Sequence, residues 1–217
     1  EVLAVAADGS APPRTIVVDR DFFDYRGGSA FGYAHVSPDG KQVLFRSQRS
    51  GWLNYWTVPI GGGTPRPVAP QPAEQSDASW SPDGRSIAFV SNTNGTHALH
   101  VVAAAGGAAR PLVAPGEGVV SRPRWSPDGA RSARATQLTF SIPTGIDTAR
   151  LVRPRKVAYP SADGLTINAY LYEPRGLKPG EKAPGLMWIH GGPTGQWSDT
   201  YQPQVQYFAQ RGYAVLL

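Results

Sequence analysis

The sequence has no cysteine and a single methionine, so it can build neither a disulfide framework nor a thiolate metal site. Redox compartment is therefore left open. It also lacks any apolar stretch near the roughly 18 uninterrupted residues that a membrane helix requires, and no membrane partner is expected. The opening Glu1-Val2-Leu3-Ala4-Val5 has neither an initiator Met nor a basic region ahead of an apolar core. No signal peptide is expected from it, and the chain reads as processed or as a piece of something longer. A bacterial cytoplasm or periplasm is compatible, and the sequence fixes neither. No spacing of His, Asp and Glu resembles a metal site, and no cofactor is expected.

What is abundant is punctuation. The 217 residues include 25 Gly and 21 Pro, spread between apolar runs instead of gathered in one low-complexity tract, while 41% of residues are apolar. That pattern predicts many short strands joined by turns around an ordinary globular core. The net charge of +5 raises nucleic acid as a partner. Its densest group, Arg122, Arg124, Arg131, Arg134, Arg150, Arg153, Arg155 and Lys156, carries no recognisable nucleic-acid motif and reads as solvated surface. No nucleic acid is expected.

The tetrapeptide Ser-Pro-Asp-Gly occurs three times, starting at residues 37, 81 and 126, so 44 and then 45 residues apart. This is the period of propeller blades of four strands each. Within the tetrapeptide, Pro presets φ, Asp can bond its own backbone and Gly takes a positive φ, so strands should flank it. Lys41 to Ser47 and Arg85 to Ser91 follow the first two copies as short β-forming runs, and Trp80 and Trp125 stand before the second and third. Val2 to Val5 and Thr15 to Val17 read as the end of a preceding unit. After Asp128-Gly129, Ala130 to Thr136 has no Val, Ile or Phe, and no strand is expected there. About two whole blades cannot close a ring, since repeats need neighbours to bury both sheet faces.

From Leu138 the texture changes, giving an organisation of 1–137 as partial propeller, 138–155 as linker and 156–217 as a second domain. Leu165, Ile167, Ala169 and Leu171 alternate with Thr166, Asn168, Tyr170 and Tyr172, the period-2 pattern of a half-buried hairpin strand. Leu186 to Ile189 is a further strand, Gln202 to Arg211 a helix closed by Gly212, and Tyr213 to Leu217 a last strand. That last strand would be an exposed apolar edge through which copies could self-associate.

Met187 to Ile189 runs into His190-Gly191-Gly192-Pro193. Two glycines let backbone N–H groups approach a ligand with no Cβ between, so this loop could present amides to a developing negative charge. The plain alternative is an ordinary turn after a strand.

The three Ser-Pro-Asp-Gly copies, the run Val157-Ala158-Tyr159-Pro160-Ser161-Ala162-Asp163-Gly164-Leu165 to Tyr172-Glu173-Pro174, and Trp188-Ile189-His190-Gly191-Gly192-Pro193 with Arg211-Gly212-Tyr213-Ala214-Val215 resemble, in that order, the prolyl oligopeptidase family of serine peptidases. The likeness is to its acylaminoacyl-peptidase and dipeptidyl-peptidase branches. The resemblance implies incomplete propeller blades followed by the N-terminal part of an α/β-hydrolase domain, and a peptide substrate cleaved through an acyl-enzyme. It also implies Gly192 as an oxyanion-hole donor, Gly191 as a shaper of the loop and His190 as an ordering residue and not the base, because the family's Ser, Asp and His all follow this loop. No Gly-x-Ser-x-Gly elbow occurs in the sequence; the nearest string, around Ser29, has Phe31 where the second Gly belongs. His35, His97 and His100 read as packing or surface residues. The chain alone is therefore expected to be inactive. The alternative is a non-catalytic propeller that binds a partner protein.

Overall fold

The computed structural model describes residues 1–19, 34–93, 95–113, 119–129, 143–192 and 195–217. The chain divides into two units, Glu1–Ala135 and Thr136–Leu217. In the first, β1 (Val2–Ala4) pairs antiparallel with β2 (Arg14–Val17). Two four-stranded meanders follow, each strand bonded to its neighbour in sequence: β3 (His35–Val36), β4 (Gln42–Ser47), β5 (Asn54–Pro59) and β6 (Arg66–Pro67), then β7 (Glu74–Trp80), β8 (Ser86–Thr93), β9 (Thr96–Ala103) and β10 (Arg110–Pro111). One meander per repeat is the form of a propeller blade.

The tetrapeptides make the same turn each time. In the first, Gly40 N–H donates to Ser37 O at 2.9 Å, the Ser37 hydroxyl donates to Asp39 Oδ1 at 2.6 Å, and Gln42 N–H returns to the Ser37 hydroxyl at 2.9 Å. The second repeats this with Gly84, Ser81, Asp83 and Ser86 at 2.9, 2.6 and 2.9 Å. Gly40, Gly84 and Gly129 have φ of 73°, 68° and 66°, the left-handed region where a Cβ is costly. The turns also nest. A Cβ on Gly84 would sit 3.5 Å from the Pro38 ring, and one on Gly129 3.8 Å from the Pro82 ring.

The tryptophan ahead of each later copy ties its repeat to the one before. Trp80 Nε1 donates to His35 O and Trp125 Nε1 to Ser79 O, both at 3.2 Å. His35 and Ser79 each stand two residues before the serine of their own tetrapeptide, so the indole bond repeats with the sequence. Three residues before each tryptophan, Asp77 and Arg122 take φ of 52° and 48°. A left-handed L-residue costs about 1–2 kcal/mol; here Arg122 N–H gains a charge-assisted bond to Asp77 Oδ2 at 3.0 Å. Tyr33, the same position in the first copy, lies outside the described residues, as do Ser29 and the strandless stretch expected from Ala130 to Thr136.

Alternation along β4 divides its side chains between two cores. Val43 and Phe45 join Val2, Ile16, Val17 and Val58, facing β1 and β2, whereas Leu44 joins Tyr55, Val68, Ile87, Phe89 and Val102, between the two meanders. The first meander is thus covered on both faces, which is how blades bury two faces.

In the second unit β11 (Arg155–Pro160), β12 (Thr166–Tyr172), β13 (Gly185–Met187) and β14 (Ala214–Leu216) form one sheet in the order β11-β12-β14-β13. Helix α1 (Pro203–Gln210) lies in the chain between the parallel strands β13 and β14, a β-α-β crossover. The helix ends in a Schellman motif. Tyr213 N–H reaches Phe208 O at 3.1 Å, Gly212 N–H reaches Ala209 O at 3.2 Å, and the Phe208 and Tyr213 rings meet edge to face at 5.8 Å.

Two expectations are corrected here. The last strand is not an edge, because β14 is flanked by β12 and β13; the open sides belong to β11 and β13. Burial along β12 does not follow the alternation: Ala169, Tyr170 and Tyr172 are buried, while Leu165, just ahead of the strand, and Ile167 are exposed. The reason is α1, whose Val205 and Ala209 pack with Tyr170, Tyr172 and Val215 on one side of the sheet. The end of the stretch read as linker joins this core too: Val152 is buried, and both its backbone groups bond the Gln206 amide at 2.8 Å.

Candidate functional site

Strand β13 is continued by one further bond, Trp188 N–H to Leu216 O at 2.8 Å, before the chain turns into the glycine loop. The Trp188 ring stays on the core, edge to face with Phe208 at 6.4 Å. Beyond it Ile189 is 76% exposed and His190 is exposed. Gly192 has φ of 66° with open space where a Cβ would project, a conformation that favours glycine. His190 Nδ1 lies 3.3 Å from Gly191 O.

Two residues that sequence reasoning passed over hold this loop. Trp197 Nε1 donates to Trp188 O at 2.9 Å, tying the far side of the loop to its root. Gly195 packs so closely that an added Cβ would run into the Gly191 carbonyl oxygen and sit 2.8 Å from His190 Nδ1. Its signal in the sequence is a third glycine three residues past Gly192, which looks like another turn residue until the backbone is seen. On β12, burial, then Asp199 and Tyr170, push the Tyr172 phenol up to about 12, so it stays protonated.

The remaining candidates belong to the first unit. His35 lies on β3, and His97 and His100 on β9, where the His100 ring stacks on Phe89 at 5.5 Å. Burial holds all three below the usual 6.5; Arg124 adds to this at His35, while Asp77 at His97 and the Ala98 carbonyl at His100 act the other way. A lowered pKa means that the unfolded chain binds protons first. Stability of the propeller unit is therefore expected to fall as pH drops below about 6.5. Melting followed from roughly pH 7.5 to roughly pH 5 checks this; a flat melting temperature across that range would refute it. Among the described residues no group of His, Asp and Glu could hold a metal ion. In the basic group, Arg155 pairs with Glu173 at 3.2 Å in a solvent-exposed bridge, and Arg131 and Arg134 lie outside the described residues.

Residues 27–144 match the TolB beta propeller domain family, and the chain belongs to that family. Its relatives and structural neighbours are peptidases of the prolyl oligopeptidase, dipeptidyl peptidase and puromycin hydrolase kind. It is 35% identical over 63 residues to the uncharacterized peptidase YuxL of Bacillus subtilis, across 29% of this chain and 10% of that one. It is also 35% identical over 69 residues to dipeptidyl peptidase 8 of Mus musculus, across 30% of this chain and 8% of that one. The aligned stretches thus span about a tenth of these curated relatives. A puromycin-hydrolyzing peptidase of Mycobacterium tuberculosis superposes with a TM-score of 0.68 at 20% identity, over 99% of this chain and 36% of the other, so the two share a fold.

Proposed function

We propose that these residues are propeller blades and the first strands of an α/β-hydrolase domain from a serine peptidase of the prolyl oligopeptidase type, acting on peptides through an acyl-enzyme. The observation that carries this reading is the glycine loop: Gly192 at a positive φ and Gly191 beside it, at the end of parallel strand β13. Amides held there suit the oxyanion of a tetrahedral intermediate, and one such donor is worth about 3 kcal/mol. His190 orders the loop from outside the proton-transfer chain. In this reading the 217 residues supply no nucleophile elbow, since the sequence holds no Gly-x-Ser-x-Gly.

Fluorophosphonate labelling tests this directly. The 217-residue chain is expected to take up no label, and a longer product of the same gene is expected to label at a single serine within a Gly-x-Ser-x-Gly segment. A longer product that stays unlabelled, or a gene whose frame closes at Leu217, would leave the propeller as a non-catalytic binding module.

A further inference from the structure

The glycine loop raises a question of rigidity. A donor amide stabilises a transition state only if it is already fixed where the charge appears, and a misplacement of about 1 Å can cost about a hundredfold in rate. Glycines make a poor support for that, having the greatest backbone freedom of any residue. Ile189, His190, Gly191 and Gly192 are all exposed, so the loop's own side chains bury nothing that would hold it. Something outside the dipeptide has to fix it.

We propose that Trp197 and Gly195 are the positioning residues of this loop, acting as a latch and as the gap that lets the latch close. The inference rests on the oxyanion reading of Gly192. Trp197 sits over the unit's core with Trp188, and its indole N–H spans the loop to the Trp188 carbonyl at 2.9 Å. Trp188 is itself held to β14 by its own amide, so the latch transmits the position of the sheet to both ends of the loop. Gly195 then lies against Gly191 O and the His190 ring with no room for a side chain. Any Cβ there has to displace the backbone of Gly191, one peptide from the proposed donor. A plain turn would tolerate alanine at this position. A held turn does not.

Trp197→Phe removes the indole donor and keeps an aromatic ring on the core; Gly195→Ala adds one methyl group. The readout is 15N relaxation of the glycine amides in the 217-residue chain. In the unaltered protein Gly191 and Gly192 are expected to show order parameters of about 0.85, falling below about 0.6 in Trp197→Phe. Their resonances are expected to move in Gly195→Ala. Gly164 and Gly212, in the same unit, should keep their values in both variants. Unchanged relaxation and shifts at Gly191 and Gly192 would overturn the proposal, and so would a loss of order shared with Gly164 and Gly212, which would make both residues merely structural.

A kinetic arm separates this from the function reading. In the gene product that carries the nucleophile, Trp197→Phe is expected to lower kcat about a hundredfold with KM nearly unchanged. A loop that loosens while kcat stays the same would keep the latch and defeat the oxyanion assignment.

Discussion

Gln75→Leu is expected to destabilise the propeller unit by about 2–4 kcal/mol, a large share of the 5–15 kcal/mol that holds a typical domain folded. Gln75 stands on β7, 1% exposed, where a strand facing a core would be expected to carry an apolar residue. Its side-chain oxygen accepts Tyr55 N–H at 2.9 Å and its amide nitrogen donates to Ala69 O at 2.6 Å. Its own backbone N–H donates to Leu53 O at 2.9 Å. The Gln75 side chain therefore binds backbone groups of the preceding meander across a seam that no strand ladder bridges. Leucine would fill the space and admit no water, so one buried donor and one buried acceptor would be orphaned at about 1–3 kcal/mol each. The leucine's own burial offsets part of this, which is why the lower half of the range is expected. Urea unfolding would show a lowered midpoint at constant slope; an unmoved midpoint would mean that these bonds contribute nothing net.

That seam marks where the sequence stops being readable. The tetrapeptide turns, β4, β8 and the Gly212 helix stop are local: each needs only its neighbours in the chain, and each is found where the period or the pattern puts it. Pairing between distant segments has no local code. Tyr213 to Leu217 ends the sequence and so looks like an edge, yet β14 sits between β12 and β13 because β13 and α1 bring it there. The alternation from Leu165 to Tyr172 gives a strand, but which of its side chains are buried depends on Val205 and Ala209 of α1, more than thirty residues later.

Polar residues were the other blind spot. Gln206 lies on the buried side of α1 with both amide atoms committed to Val152, and Gln75 does the same for Tyr55 and Ala69. Both would pass for surface glutamines in a hydropathy pattern. In the glycine loop the composition was legible and the support was not: Gly191 and Gly192 announce backbone freedom, while Gly195 and Trp197 reveal their part only through the carbonyls that they meet.

Phe89→Ala should be the most damaging single truncation in the seam between the two meanders, at about 3–5 kcal/mol. Phe89 is fully buried on β8, in the cluster with Leu44, Tyr55 and Val68 from the preceding meander and Ile87 and Val102 from its own. Removing the ring forfeits its transfer energy and opens a cavity between two sheets whose strands cannot collapse far without breaking their ladders. The stacked partner supplies a second readout. His100 faces Phe89 in register across β8 and β9, and burial is the first cause holding its pKa below 6.5. With the ring gone, water reaches the imidazole, and its pKa is expected to rise toward 6.5, the same direction that favours protonation in the unfolded chain. The variant should therefore be far less stable at pH 7 and also lose part of the acid sensitivity that His100 gives the parent. Chemical denaturation at two pH values, with the His100 ring protons followed by NMR, measures both effects. A His100 titration that does not move would show that the Phe89 ring does not shield it, and a loss of stability below about 1 kcal/mol would show that the seam can close over the cavity.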